Sequence, residues 1–194
     1  MALLLAAVPA SVHFILVVPD GGVEVNVLDD PEKAAPCGTS DITKGAPIGK
    51  VTAMTGGESL HIKIKETICH PGCYRIALSV LDLSELPADP EATTRETPRG
   101  PVSVSAGIDP KPYPSVLADG LFESRANASE YILAADIKLP NINCEKRVVQ
   151  ALQFMKEHGP NKEGDFSYQY CADLKITANP ALPIETAWAG QKAC

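Results

Sequence analysis

Short apolar runs recur along this chain, and turn residues cut each of them short. His61-Ile62-Lys63-Ile64-Lys65-Glu66 alternates polar and apolar side chains, the period of two that puts one face of a strand in a core and the other in water. Residues 74–81 are apolar enough for a strand buried on both faces. A third run, 131–139, is stopped by Pro140, and a fourth, 168–177, stops near Asn179-Pro180. Gly21-Gly22, Gly56-Gly57, Pro71-Gly72 and Pro160-Asn161 supply the turns between runs. No run approaches the ~20 apolar residues needed to span a bilayer. A length of 194 residues suits one domain with a substantial core.

One segment reads two ways. Across 145–158, Val148, Val149, Leu152 and Met155 suit a helix closed by Gly159, while Val148, Gln150, Leu152 and Phe154 suit a strand. Local propensity favours the helix, and the short strands elsewhere favour a sandwich. Residues 86–113, rich in Pro, Thr and acidic side chains, read as one long surface loop of the kind that carries function on a rigid scaffold. Residues 178–194 read as a C-terminal tail with prolines at 180 and 183. The apolar run at 2–8, followed by Pro9, Ala10, Ser11 and Val12, resembles the end of a secretory signal. The expected division is therefore 1–12 signal-like, 13–177 domain and 178–194 tail. Cleavage before His13 or after Ala10 both remain open.

A net charge of −7 offers no basic stripe, which excludes nucleic acid and anionic membrane surfaces as expected partners. Six cysteines with 17 prolines and 14 glycines point to a loop-rich, secreted protein from an oxidising compartment. No C-x-x-C pair is present, so a zinc ribbon is disfavoured. Asn127-Ala128-Ser129 is a glycosylation sequon.

Of the four histidines, His61 falls on the polar face of its strand and His158 stands beside Gly159; both read as solvated. His70 stands on the constrained turn His70-Pro71-Gly72, ahead of the run 74–81. It reads either as a hydrogen-bonded structural residue or as a ligand. His13, as a mature N-terminus, would offer an α-amine and a ring nitrogen to one metal, and His70 would add a third nitrogen. Three nitrogens in a plane match the tetragonal preference of Cu(II). On a strand, Tyr168 and Tyr170 share one face and Cys171 points the other way.

These pieces together resemble the lytic polysaccharide monooxygenases and their relatives. The resemblance rests on His13-Phe14 after the signal-like run, Ala35-Pro36-Cys37-Gly38, residues 66–78 around His70, and 168–173, with Leu117-Ala118-Asp119-Gly120 in support. It spans His13 to Ile176 and implies an all-β, immunoglobulin- or fibronectin-like antiparallel β-sandwich with long loops. It implies one copper ion held by His13 and His70 with Tyr168 on the axial side, and a disulfide between Cys37 and Cys171. It also makes 147–155 a strand. The expected function is oxidative cleavage of glycosidic bonds by a secreted monomer, with a polysaccharide substrate, an external electron donor, and O2 or H2O2. The alternative is a non-catalytic copper-binding protein of the same fold. It is motivated by Phe166, where many fungal relatives have a glutamine, and by Cys69 and Cys73 flanking His70.

Overall fold

The computed structural model describes residues 14–21, 35–38, 49–66, 69–109, 111–124, 131–161 and 166–191. Ten strands follow in chain order: β1 (Phe14–Val18), β2 (Val51–Thr55), β3 (Ser59–Glu66), β4 (Gly72–Leu78), β5 (Ala92–Thr97), β6 (Gly100–Ala106), β7 (Val116–Ser124), β8 (Tyr131–Lys138), β9 (Cys144–Met155) and β10 (Ser167–Thr177). They make an all-β sandwich. One sheet has the order β1-β3-β8, the other β2-β10-β9-β4-β7, and β5 and β6 form a separate hairpin. Every pairing is antiparallel except that of β10 with β2. Among the described residues the only helical turn is a 3-10 turn at Leu83–Glu85.

The alternation read in 61–66 is what buries one face of β3. Leu60, Ile62 and Ile64 point inward and are buried, whereas His61 is exposed and hydrogen-bonded to Asp136. Each buried aliphatic side chain contributes about 1.5–3 kcal/mol. From the opposite sheet Tyr74, Ile76 and Leu78 of β4, Val149, Ala151 and Met155 of β9, and Tyr168, Tyr170, Ala172 and Leu174 of β10 meet them. The run over β4 is buried at every position, as expected of a strand covered on both faces.

Segment 145–158 resolves as a strand over most of its length. β9 is flanked by β10 and β4, so both rows of its backbone polar groups are paired, and tertiary context overrides helix propensity. The stretch 86–113 departs from the loop reading because it contains β5 and β6. β5 is polar and mostly exposed, and the alternation of Val102, Ser103, Val104 and Ser105 in β6 is too short to stand out among the prolines and glycines around it.

The outer face of the five-stranded sheet is covered rather than solvated. Cys171 bonds to Cys37 (S–S 2.08 Å, Cα–Cα 5.1 Å), and Gln150 donates to the Pro36 carbonyl at 2.7 Å. Arg75, also on that face, donates to the carbonyls of Pro87 (3.2 Å) and Ala88 (2.9 Å), while Gln169 donates to Asp89 at 2.6 Å. The disulfide is the one implied by the resemblance. The segment read as a tail is docked through residue 191: Trp188 belongs to the core cluster, and Asn141 bonds to Asn179, Leu182 and Pro183. No helix among the described residues is long and apolar enough to cross a membrane.

Candidate functional site

His70 stands two residues before β4, at one pole of the sandwich. Gly72 sets how closely β4 begins against β9. A Cβ at that position would lie 1.9 Å from the Phe154 carbonyl oxygen, so a larger residue would push the strands apart. Lys156 N–H donates to the Pro71 carbonyl at 2.6 Å, which ties the chain leaving β9 to the residue beside His70.

Beyond β9 the backbone turns through Glu157, whose φ of 56° lies in the left-handed region that few non-glycine residues occupy. That turn delivers His158 to His70, with ring centroids 4.8 Å apart and planes at 89°. Ser103 of β6 holds the turn in place. Its N–H donates to the His158 carbonyl (2.9 Å), and its carbonyl accepts from Glu157 N–H (2.9 Å). Its hydroxyl donates to the Met155 carbonyl (2.6 Å) and accepts from His158 N–H (3.2 Å). An exposed ion pair between Arg95 and Glu157 adds a second tie from the hairpin. Tyr168, near the start of β10 and buried, lies on the other side of His158, with centroids 6.5 Å apart.

The surroundings of His70 favour its neutral form. Burial, and secondarily the neighbouring His158, push the His70 pKa down to about 4. The His158 Nδ1 lies 2.5 Å from the Gly159 carbonyl oxygen. A carbonyl only accepts, so Nδ1 carries the proton of that bond.

Beneath this pole lies a polar knot that strand periodicity creates. Glu66 continues the inward row of Ile62 and Ile64, and it is fully buried. Its Oε1 accepts from the Tyr74 hydroxyl (2.8 Å) and from Gln153 Nε2 (2.9 Å). Burial pushes the Glu66 pKa up, against the lowering effect of its bonds to Tyr74 and Cys69. The Cys69 thiol is pushed up to about 11 by burial, the Glu66 charge and that same bond. Cys73, on the outer face of β4, is pushed up to about 11 by burial first and by Asp119 and Glu123 next. Near neutral pH both flanking cysteines are therefore thiols, not thiolates.

The structure thus brings His70 and Tyr168 to one pole with His158 between them. His13 lies outside the described residues. Phe14, which follows it, pairs with Glu66 and packs edge-on against Tyr74 at 5.3 Å. The solvated reading of His158 is corrected, because the ring is half-buried against His70 and Tyr168. Ser103 and Glu66 were also missed. The burial of Glu66 had a signal, in that Glu66 extends the inward row of β3; Ser103 had none. Among the described residues, no three His, Cys, Asp or Glu side chains are grouped so as to hold a metal ion. No known protein family matches the chain, and no curated protein is significantly similar to it.

Proposed function

We propose that this protein is a secreted, copper-dependent polysaccharide monooxygenase, with His70, His158 and Tyr168 at its reactive pole. The observation that carries this reading is the meeting of two imidazoles beside a buried tyrosine at one end of a disulfide-bonded sandwich. Neutral ring nitrogens are the form that a metal requires, and His70 takes that form down to about pH 4. The described donors fit an open nitrogen site and do not close one by themselves. In this reading His13 supplies the α-amine and a second ring nitrogen, His70 the other ring nitrogen, and Tyr168 a phenol oxygen.

Copper, when bound, supplies one-electron chemistry with O2 or H2O2 after reduction by an external donor. The chain's own residues do the rest. Ser103 and Glu157 orient His158, whose Nε2 can hold or release a proton beside His70. Glu66, Tyr74 and Gln153 fix the inner floor of the pole. The substrate in this reading is a neutral polysaccharide, in keeping with a net charge of −7 that repels polyanions.

The first test is intact mass and N-terminal sequencing of the secreted protein, followed by copper titration read by electron paramagnetic resonance. A chain that begins at His13 and takes up one copper with a nitrogen-rich tetragonal spectrum is expected. Digests of cellulose, chitin and xylan should then give oxidised oligosaccharides only when copper and reductant are both present. Absence of specific copper binding sinks the proposal.

A second reading, a non-catalytic copper-binding protein, is favoured by Phe166. Its apolar ring stands two residues before Tyr168 and has no polar group to offer a bound oxidant. Negligible reductant-driven peroxide formation by the copper-loaded protein would select this reading over the enzyme.

A further inference from the structure

The two large sheets end on β7 and β8, which do not pair with each other, so the sandwich is open along that side. Leu117 and Leu121 of β7 and Ala135 and Ile137 of β8 line a slot of about 530 Å3 between the two edges. Leu121, Leu133 and Ala135 pack against the core while only partly buried, which leaves apolar surface unclosed here. The β8 side of the slot also carries backbone. Leu139 N–H donates to the Glu58 carbonyl (2.8 Å) and the Leu139 carbonyl accepts from Gly57 N–H (3.2 Å), so both groups turn towards the chain entering β3. On an antiparallel strand that direction alternates residue by residue, and the ladder of β8 with β3 is unbroken from Lys138 to Tyr131. Ile137 and Ala135 therefore bond to β3, while the N–H and carbonyl of Asp136 and Lys138 point out from the edge.

Charges on an edge strand ordinarily spoil its pairing with an arbitrary strand. Asp136 and Lys138 are exposed, and Ile137 between them is buried. A strand added here must set a cation opposite Asp136, an apolar residue opposite Ile137 and an anion opposite Lys138. Asp136-Ile137-Lys138, read in the antiparallel sense, is itself that sequence. About a two-fold axis through Ile137, Asp136 meets the partner's Lys138 and Lys138 meets the partner's Asp136. Each of these two pairs then exchanges both of its N–H···O bonds. Among the described residues the Asp136 carboxylate bonds through Oδ1 alone, to His61 at 2.8 Å, and Lys138 has no ion partner. Both charges are available for the contact.

We propose that β8 is the contact of a two-fold dimer, in which two three-stranded sheets join edge to edge into one of six strands. The occupant of the open edge is a second copy of this chain, in place of the monomer that the resemblance implies. One short strand pair falls below the ~1,200 Å2 of a standard interface, so the dimer is weak and forms with concentration. It does not depend on the copper proposal.

Sedimentation equilibrium of the full chain, from micromolar to millimolar concentration, is expected to show reversible exchange between monomer and dimer. Asp136→Lys sets like charges opposite each other twice in the dimer and should weaken association at least about tenfold. Lys138→Asp should do the same. The double variant Asp136→Lys/Lys138→Asp should restore association, because both pairs are remade in reverse. Hydrogen exchange should slow at the Asp136 and Lys138 amides as the concentration rises and recover on dilution. A chain that stays monomeric at millimolar concentration overturns the proposal. So does a dimer that the single reversals leave intact or the double variant fails to restore, and so does concentration-independent exchange at those two amides.

Discussion

At the pole that holds Asn141, a buried amide grips backbone. The Asn141 side chain donates to the carbonyls of Asn179 (3.2 Å), Leu182 (2.9 Å) and Pro183 (3.0 Å), and it accepts from Asn179 N–H at 2.7 Å. At the pole that holds His70, ionisable groups join the buried polar network, and two of them are moved from their ordinary protonation range in opposite senses. Glu66 is pushed up and His70 is pushed down, each first by burial. An amide pairs without changing charge, so the bonds of Asn141 do not depend on its protonation. Ionisable groups held where their charged forms are disfavoured cost stability, and such groups concentrate at sites of chemistry.

The largest expected effect belongs to the amide pole. Asn141→Ala leaves one buried N–H and several carbonyls without their partner and should cost about 3–4 kcal/mol in chemical denaturation. Copper affinity should stay unchanged; a parallel loss of copper would mean the two poles are coupled. Next, on the copper reading, His70→Ala should weaken copper binding at least about 100-fold, since removal of a group that merely orients a ligand already costs roughly 10–100-fold. Isothermal titration would measure it, and unchanged affinity would remove His70 from the site.

A smaller effect should appear with pH in the metal-free protein. The His70 ring titrates near 6.5 when unfolded and at about 4 when folded. Between those values the unfolded chain takes up a proton that the folded chain declines, so this contribution to stability is full above pH 6.5 and is lost progressively towards pH 4. Solvent around the half-buried ring reduces the effect to roughly 1–2 kcal/mol. His70→Gln should flatten that limb of the stability profile, and an unaltered limb would show that the ring is not desolvated. Smallest of all, Ser103→Ala should cost about 1 kcal/mol of stability. It should also broaden the His158 ring resonances in NMR as the turn loosens. Sharp, unmoved resonances would assign the placement of His158 to Glu157 and Arg95 instead.

What could be read from the sequence follows from how local each signal is. The inward row of β3, the fully buried run of β4 and the two-faced β10 are periodic within a few residues, and each appears where the pattern puts it. His70-Pro71-Gly72 announced a constrained turn for the same reason. β9 was ambiguous because its apolar spacing satisfies both periods, and only its two flanking strands decide the matter. In the hairpin of β5 and β6 only the short alternation of Val102, Ser103, Val104 and Ser105 hints at a strand, while β5 is polar on both faces. His158 was misread because what fixes it comes from far along the chain. Ser103 lies 55 residues before it, and the His70 ring that it meets belongs to a different strand connection.

β10 is the last strand in the chain, yet it lies inside its sheet, between β2 and β9. A ribosome therefore delivers the centre of that sheet after its other four strands, and until then β2 has no partner and β9 has one bare side. Tyr168 and Cys171 both ride on β10. The contact of Tyr168 with His158 and the Cys37–Cys171 link consequently cannot exist on a nascent chain that lacks β10. Truncated products of interrupted translation carry His70 without the tyrosine beside it, and they expose an unpaired strand edge prone to aggregation.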